Sequence, residues 1–267
     1  ANAQSVDAKS PSLTAQPLLQ SPVVDGEVLS DDVWQAQAPA TGFVQVRPQQ
    51  GQPASQKTRV YIGYSEDTFY LAVVCLDDDP ATLIISDARR DASLRNIDSF
   101  RFIIDGFQDR QNGFVFGTTP GGAQYDGQVT KEGSRDGGGG FNKNWDATWE
   151  VATKVGEFGW SAEFAIPFKS LRYSSAEVQD WGINFQRNIG RTDEVAYWSP
   201  LERQYNLFRV SQAGTLIGLH APKQRNLKFT PYVLAQATRG GDAAPGTHDE
   251  TAVGFDAKYS VTPSLTL

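Results

Sequence analysis

The sequence predicts an all-β protein whose main part is an antiparallel β-sandwich of jelly-roll-like type. Short runs of alternating apolar and polar residues recur along the chain, and a period of two is typical of strands with one buried face. Turn signals rich in Gly, Pro and Asp separate these runs, and no long stretch carries a helical period. Many short strands with regularly spaced turns are typical of a sandwich. The clearest runs are residues 145–151, 160–166 and 181–185.

Local composition justifies the elements in chain order. Residues 1–21 are rich in Ser, Gln, Ala and Pro and are predicted to form a flexible leader. The sandwich is predicted to span residues 22–221. Inside it, residues 69–76 are apolar at both parities, as expected of a central strand that is buried on both faces. Brief helical turns are predicted at residues 31–36 and 168–173.

Residues 222–267 have a different pattern. Two alternating runs, residues 227–238 and 253–259, flank a long polar loop, and a short turn then leads into Leu265 and Leu267. Long alternating strands with a long loop on one side and a tight turn on the other are typical of a transmembrane β-barrel. We therefore predict the first strands of a C-terminal barrel that continues beyond Leu267, because two or three strands with open edges cannot cross a membrane. The alternative is a final hairpin of the sandwich.

Charge and cysteine content limit the function classes. The 24 basic and 31 acidic residues give a formal charge of −7 and a pI near 4.9, and no block of Lys or Arg occurs. A nucleic-acid partner is therefore not expected. The single cysteine, Cys75, lies in an apolar run and is predicted to be a core residue rather than a nucleophile. The triplet Ala1-Asn2-Ala3 resembles a signal-peptide cleavage site and predicts export.

Five segments of the chain occur in the order found in one protein family. They lie at residues 23–37, 58–80, 89–127, 144–200 and 213–233. The chain resembles carbohydrate-binding module family 9, a DOMON-like group, and more closely the domain of unknown function (DUF5916) that precedes an outer-membrane β-barrel in Gram-negative bacteria. The resemblance implies a sandwich fold, a glycan or glycoconjugate partner and a place in the cell envelope. There the barrel would attach the protein to the outer membrane, with the sandwich in the periplasm or at the surface.

Sugar recognition needs aromatic platforms for stacking and polar groups that bind pairs of hydroxyls. Trp145 and Trp198 lie at predicted strand ends and are the expected exposed platforms. The other four Trp residues follow a turn or are in phase with aliphatic neighbours, and are predicted to be core: Trp34, Trp149, Trp160 and Trp181.

The family resemblance implies a ligand site around Asp98. Sugar-binding members carry a Trp and a Glu on the two sides of this Asp, where the present chain has Arg95 and Arg101. Guanidinium groups therefore replace one aromatic wall and one acidic group. The alternative interpretation of these charged residues is a salt-bridged strand surface. The full set of predicted ligand-binding residues is Trp198, Trp145, Arg95, Asp98, Arg101, Asn184 and Arg187.

Structural calcium is the cofactor that the acidic turns suggest. Calcium prefers several hard oxygen ligands, although Asp in a turn usually caps backbone amides. The candidate ligands are Asp77, Asp78, Asp105 and Asp109. Zinc and haem are not expected, because His220 and His248 are the only histidines, lie far apart without Cys partners, and the chain has no Met.

These observations predict a non-catalytic module that captures or guides a glycan at the cell envelope. Family 9 modules often accompany glycoside hydrolases, which need a pair of catalytic carboxylates. Glu150 and Glu163 could approach one another on adjacent strands, but they alternate with core residues and are predicted to face solvent. The alternative is a structural or interaction domain without a sugar site, which packs on or plugs the barrel or docks an envelope protein. The Arg95 and Arg101 replacements favour that alternative.

Overall fold

The computed structural model describes residues 10–85, 89–134, 140–223, 227–239, 247–262 and 265–266. The chain divides into two compact units, Ala1–Pro222 and Lys223–Leu267. The strands of the first unit are β1 (Ser12–Thr14), β2 (Gln16–Pro17), β3 (Val44–Arg47), β4 (Thr58–Tyr64), β5 (Thr68–Leu76), β6 (Ser99–Asp105), β7 (Gly113–Thr118), β8 (Tyr125–Thr130), β9 (Gly140–Asn142), β10 (Glu150–Gly156), β11 (Gly159–Pro167), β12 (Gln179–Ile189), β13 (Glu194–Tyr197) and β14 (Gly214–Leu219).

Helical structure in the described ranges is limited to short turns. One α-helix, α1, spans Asp32–Gln35, and the side chain of Asp31 caps it by accepting a hydrogen bond from the Val33 amide. Short 3₁₀ turns lie at Pro80–Thr82, Lys131–Gly133, Phe168–Ser170, Gly190–Thr192 and Val210–Gln212. The two predicted helical turns are thereby confirmed. Within the described residues, none of these helices has the length and hydropathy needed to cross a bilayer.

The first unit is a sandwich of two sheets. The larger sheet has nine strands in the order β1-β14-β12-β6-β7-β8-β9, with β13 paired to both β12 and β3. The smaller sheet has five strands in the order β10-β11-β5-β4-β2. Neighbouring strands are antiparallel except for the pairs β1 with β14 and β2 with β4. The predicted antiparallel β-sandwich is confirmed.

Aromatic and aliphatic side chains from both sheets fill the space between them. Phe102 of the larger sheet meets Phe164 of the smaller one in a T-shaped contact, with ring centroids 5.1 Å apart. Full burial of one such side chain contributes roughly 1.5–3 kcal/mol. Strand β5 is buried on both faces, as predicted. The residues predicted to be core are also buried: Trp34, Trp149, Trp160, Trp181 and Cys75.

The segment that carries β1 and β2 links the edges of the two sheets. Leu13 pairs with Leu216 at the edge of the larger sheet, and Gln16 pairs with Gly63 at the edge of the smaller one. These strands belong to the segment that we assigned to a flexible leader. Composition did not show their role, because each strand is too short for alternation to be visible.

The segment of residues 25–34, which follows β2, covers the outer face of the smaller sheet. Trp34 packs beside Tyr61, with ring centroids 6.4 Å apart. Glu163 on β11 accepts hydrogen bonds from Trp34 Nε1 at 2.7 Å and from the amides of Gly26 and Asp25 at 2.8 and 3.0 Å. The prediction that Glu163 faces solvent is wrong. Strand parity placed it correctly on the outer face, but a segment of the chain rather than water covers that face.

The strand predicted at residues 145–151 begins later than expected. Strand β10 starts at Glu150, and residues 145–149 lie outside any strand because they connect β9 of the larger sheet to β10 of the smaller one. Side chains supply hydrogen bonds to this crossing segment. The Ala147 amide donates to Asp126 Oδ2 at 2.9 Å, and Gln124 Nε2 donates to the Trp149 carbonyl at 3.1 Å.

The second unit contains a long hairpin. Strands β15 (Leu227–Arg239) and β16 (Thr247–Thr262) pair antiparallel along the whole of β15, and β17 (Leu265–Thr266) pairs with the end of β16. The two strands predicted at residues 227–238 and 253–259 are therefore confirmed. Together with β17 they form a separate three-stranded sheet. Their continuation into a barrel stays a prediction.

Candidate functional site

The outer face of the larger sheet carries a transverse row of polar and aromatic residues. Alternate positions of β6 hold buried Phe residues that belong to the core between the sheets, so the intervening positions face away from that core. Strand pairing places five such residues side by side across β13, β12, β6, β7 and β8. The row consists of Tyr197, Gln186, Arg101, Gly117 and Tyr125.

A cavity of about 400 Å³ lies over one part of this row. Tyr197, Gln186 and Arg101 contribute to its lining, and residues 94–97 and 203–208 form walls where they cross the outer face. The volume falls within the range of small-molecule sites, about 300–1,000 Å³. Further polar side chains in the lining come from Arg47, Asn188, Asp193 and Glu194.

Arg101 occupies the middle of the row and is partly buried. Its guanidinium carbon lies 5.9 Å from the centroid of the Tyr125 ring. Its Nε is buried and has no hydrogen-bond partner among the described residues. Gly117 on the neighbouring strand allows this position, because a Cβ there would lie 2.5 Å from Arg101 Cγ. The side chain can therefore lie flat across β7 towards Tyr125.

The two tyrosines beside Arg101 do not neutralise it. Burial raises the pKa of Tyr197 to about 12, although the positive charges of Arg101 and Arg47 oppose that rise. Burial also raises the pKa of Tyr125, again against the effect of Arg101. Both hydroxyls are therefore uncharged near neutral pH. They can donate or accept hydrogen bonds, but they supply no negative charge to the guanidinium.

Buried amide side chains form the floor of the cavity. Gln186 Nε2 donates to Asn188 Oδ1 at 2.6 Å, and Asn188 Nδ2 donates to the Leu94 carbonyl at 3.0 Å. Glu194 Oε1 accepts from the Ser55 amide at 2.9 Å. These hydrogen bonds hold the three side chains in fixed orientations. Amide groups both donate and accept, which matches the hydrogen-bonding capacity of a hydroxyl group.

Aromatic rings stand at the rim of the cavity. The Arg209 guanidinium lies 4.6 Å from the centroid of the Tyr205 ring and pairs with Glu132 at 2.7 Å. Phe208 stacks on Phe141 with ring centroids 4.7 Å apart. Tyr205 and Phe208 both line the cavity and are half-buried. Their free surfaces can contact the apolar face of a ligand.

Two of the seven predicted ligand-binding residues, Arg95 and Arg101, line this cavity. Asp98 does not, because it has the parity of Phe100 and points towards the interior, away from Arg101. Its Oδ2 accepts a hydrogen bond from the Ile84 amide at 2.8 Å. Burial raises the pKa of this carboxyl above its ordinary value. Asp98 and Arg101 therefore cannot contact one ligand at this face.

Arg187 is fully buried and is not available to a ligand. It continues the inward parity of Phe185 on β12 and reaches the smaller sheet, where its Nη2 lies 3.3 Å from the Leu76 carbonyl and 3.8 Å from Asp77 Oδ2. Its assignment to a binding surface is wrong. The guanidinium instead balances part of the charge of a buried carboxylate.

Asn184 and Trp198 are also buried. Asn184 Oδ1 accepts from the Ser199 amide at 2.8 Å and its Nδ2 donates to the Ser199 carbonyl at 3.0 Å. This pair of bonds fixes the chain after β13, and Trp198 then packs on Phe185 with ring centroids 5.1 Å apart. Only 6% of Trp198 is exposed, so the prediction of an exposed platform is wrong. The end of a strand is not a surface position when the chain folds back over the sheet.

Trp145 is half-buried and packs against the sandwich core. It stacks on Phe114 with ring centroids 4.6 Å apart and meets the edge of Phe116 at 6.0 Å. One face of its indole is therefore occupied by protein. Trp145 does not line the cavity described above. Trp145 is therefore not the fully exposed platform that was expected, and its role in sugar stacking stays a prediction.

The four Asp residues proposed as calcium ligands are not brought together. Asp77 Oδ2 pairs with Arg191 at 2.7 Å, whereas Asp105 and Asp109 cap the turn that follows β6. Asp78 is exposed and accepts from Gln56 Nε2 at 3.1 Å. Capping and ion pairing explain these carboxylates, as expected for Asp in turns.

A different acidic group lies near the crossing segment. Carboxylate oxygens of Asp91, Asp126 and Asp146 lie within 4.8 Å of one another, the one such group in the described part of the chain. Arg90 lies among them, 2.6 Å from Asp126 Oδ1 and 2.9 Å from Asp146 Oδ1. Burial raises the pKa of Asp126. The group is therefore an Arg-centred ionic network.

Sequence reasoning missed several residues of the cavity. Gln186 and Asn188 follow Trp181 and Phe185 at the opposite parity, so strand alternation could have placed them on the outer face. Tyr205 and its neighbours lie in an irregular segment. No periodic signal connects that segment with β12, because the two are brought together only by tertiary packing.

The fold is similar to that of solved carbohydrate-binding modules. A crystal structure of a candidate carbohydrate-binding protein from Bacteroides uniformis has a TM-score of 0.60 and 13% identity, over 78% of this chain and 99% of that chain. A family 9 module from Caldicellulosiruptor kristjanssonii in complex with cellotriose has a TM-score of 0.52 and 15% identity, over 80% of this chain and 95% of that chain. A family 9 module from the same organism in complex with glucose has a TM-score of 0.50 and 16% identity, over 80% and 97%.

No family model and no curated protein sequence matches the chain. At these levels of identity, the structural likeness shows a sandwich fold like that of family 9 carbohydrate-binding modules.

Proposed function

We propose that this chain is a non-catalytic carbohydrate-binding module and that the cavity on the outer face of the larger sheet is its glycan site. The observation that carries the proposal is a cavity of about 400 Å³ with an amide floor and an aromatic rim. The fold is similar to family 9 modules that were solved with cellotriose and with glucose, which supports the same ligand class.

The lining has the chemistry that sugar binding requires. Gln186 and Asn188 present oriented amides at the floor, and Arg95 and Arg101 present guanidinium groups that can bind pairs of oxygens. Tyr205 at the rim can pack against the C–H face of a sugar ring. A cavity of this size holds a short ligand of about one or two sugar rings. Affinity will be modest, because each hydroxyl exchanges water hydrogen bonds for protein ones with little net gain.

Isothermal titration calorimetry of the 267-residue chain against a glycan panel tests this proposal. Tyr205→Ala and Arg95→Ala remove groups at the rim of the cavity without touching the core between the sheets, and each should weaken binding by about tenfold. Tyr232→Ala is the matched control, because Tyr232 is an exposed residue of the second unit. It should bind as the unchanged chain does. Failure of every glycan to bind, or equal binding by all variants, would overturn the proposal and favour a structural or interaction domain.

We also propose that the module belongs to an outer-membrane protein of a Gram-negative cell envelope. The β15–β16 hairpin supports this location. Val233 pairs with Val253, and Phe255 lies two residues further along the same face, with all three side chains exposed. Exposed apolar residues at alternate positions of long strands suit contact with lipid. Fractionation of cells that express the complete gene should recover the protein in the outer membrane, whereas recovery as a soluble periplasmic protein would contradict this location.

A further inference from the structure

We propose that the glycan recognised by the outer-face cavity carries a negatively charged group, a carboxylate, sulfate or phosphate, which binds against Arg101. This inference rests on the proposed glycan-binding function and names the chemical class of its ligand. The neighbours solved with cellotriose and glucose hold uncharged sugars. A preference for a charged sugar would distinguish this chain from those two modules.

The lining of the cavity is positively charged although the whole chain is acidic. Four arginines line it, against the two acidic residues Asp193 and Glu194, in a chain with a formal charge of −7. Arg47 pairs with Asp193 at 3.7 Å, and Glu194 is directed to the Ser55 amide. Of the four arginines in the lining, the other three have no carboxylate within 4.0 Å among the described residues: Arg95, Arg101 and Arg203.

Arg101 differs from the other arginines whose Nε is buried without a hydrogen bond. Those are Arg187 and Arg209, and each has a carboxylate partner, Asp77 or Glu132. Arg101 has none in the described part of the chain. A partly buried cation without a counter-ion is unfavourable, since it loses hydration without a compensating charge. An anionic group of a ligand would supply that charge and accept hydrogen bonds from the guanidinium.

Stacking on Tyr125 does not by itself explain this arrangement. The separation of 5.9 Å between the guanidinium carbon and the ring centroid is at the outer limit of cation–π contact, about 6 Å. Such a contact also leaves Nε without an acceptor. The fold nevertheless leaves room for this side chain, because Gly117 has no Cβ that would collide with Arg101 Cγ. The fold therefore places the Arg101 guanidinium beside the cavity without an ion-pair partner among the described residues.

Calorimetry of the 267-residue chain with matched sugars tests the inference. The probes are glucose and cellobiose, and their acidic counterparts glucuronic acid, glucose 6-sulfate, glucose 6-phosphate and cellobiouronic acid, with inorganic phosphate as the free-anion control. At least one acidic sugar should bind about ten- to hundredfold more tightly than its neutral counterpart. The three acidic groups distinguish a carboxylate ligand from a sulfate or a phosphate ligand.

Arg101→Gln should abolish this preference, because it weakens binding of the acidic sugar by about ten- to hundredfold more than binding of the neutral sugar. Arg59→Gln is the matched control, since Arg59 is an exposed strand residue of the smaller sheet, and it should retain the full preference. Arg203→Gln, at an exposed position of the cavity wall, provides a second test that does not disturb the sheet and should reduce the preference. Circular dichroism verifies that each variant is folded.

The two proposals fail in different ways. Binding of neutral sugars with equal or greater affinity than acidic ones, lost in Arg95→Ala, would overturn the charge inference and leave the glycan site intact. A preference that persists in Arg101→Gln would also overturn it, as would binding of inorganic phosphate as tightly as glucose 6-phosphate. Absence of binding by every sugar would overturn the glycan function and this inference together.

Discussion

Replacing Glu163 by Gln tests whether its buried carboxylate holds the segment of residues 25–34 on the smaller sheet. Oε1 accepts from Trp34 Nε1, and Oε2 accepts from the amides of Gly26 and Asp25. A carboxamide keeps only one oxygen, so its NH₂ group must face at least one of these donors. Losing the Trp34 bond alone leaves a buried indole N–H unsatisfied. Because a hydrogen bond to a charged group contributes about 1.5–3 kcal/mol, we expect the free energy of unfolding to fall by about 2–3 kcal/mol.

Glu163→Ala should have a larger effect, about 4 kcal/mol or more, since it removes all three bonds and leaves a cavity. Urea denaturation followed by Trp fluorescence measures both variants. The six Trp residues all lie in the first unit, so the signal reports on the sandwich. Glu150→Gln is the matched control, an exposed residue of the adjacent strand, and should change stability by less than about 0.5 kcal/mol. If Glu163→Gln were no more destabilising than Glu150→Gln, the carboxylate would not hold the segment.

Two further predictions concern buried titratable groups. Burial acts to raise the pKa of Asp77, but hydrogen bonds from Arg191 and the Asp79 amide, with the charges of Arg191 and Arg187, lower it overall. A lowered folded-state pKa stabilises the fold above the unfolded value of 3.8, and this stabilisation is lost as the pH falls through the folded-state pKa. The difference in unfolding free energy between the unchanged chain and Asp77→Asn should therefore shrink in urea titrations below that pH, and a difference independent of pH would refute the pairing. Burial raises the pKa of Cys75 to about 11, so a thiol reagent at about pH 8 should modify this cysteine only after denaturation; rapid labelling of the native chain would show that the thiol is accessible.

Strand parity correctly predicted which side chains of the long strands pack between the two sheets. It assigned Trp160 and Phe164 on β11 and Trp181 on β12 to the interior, where the structure places them. The same parity also places two charged residues on the inward side. Arg187 continues the inward positions of β12, and Asp98 continues those of β6. A charged residue at an inward parity is buried with a partner instead of being exposed to a ligand.

The candidate site was harder to predict because more than half of its lining residues are not on strands. Arg95 and Arg101 were among the predicted ligand-binding residues, and both line the cavity. The segment that contains Tyr205 carries no periodic pattern, so nothing in the sequence indicated that it crosses the face of β12. Trp198 shows the opposite error. A strand end suggested exposure, whereas hydrogen bonds between Asn184 and Ser199 fold the chain back and bury the indole.

The sequence by itself determined the β class, the inward and outward faces of the long strands, the core tryptophans and the hairpin of the second unit. These properties depend on local alternation, which is visible within one strand. Only the tertiary structure decided what covers each outer face, and therefore which polar residues are buried and which line a cavity. The reason is physical: alternation separates the two faces of a strand, whereas solvent exposure depends on segments that are distant in sequence and pack against one of those faces.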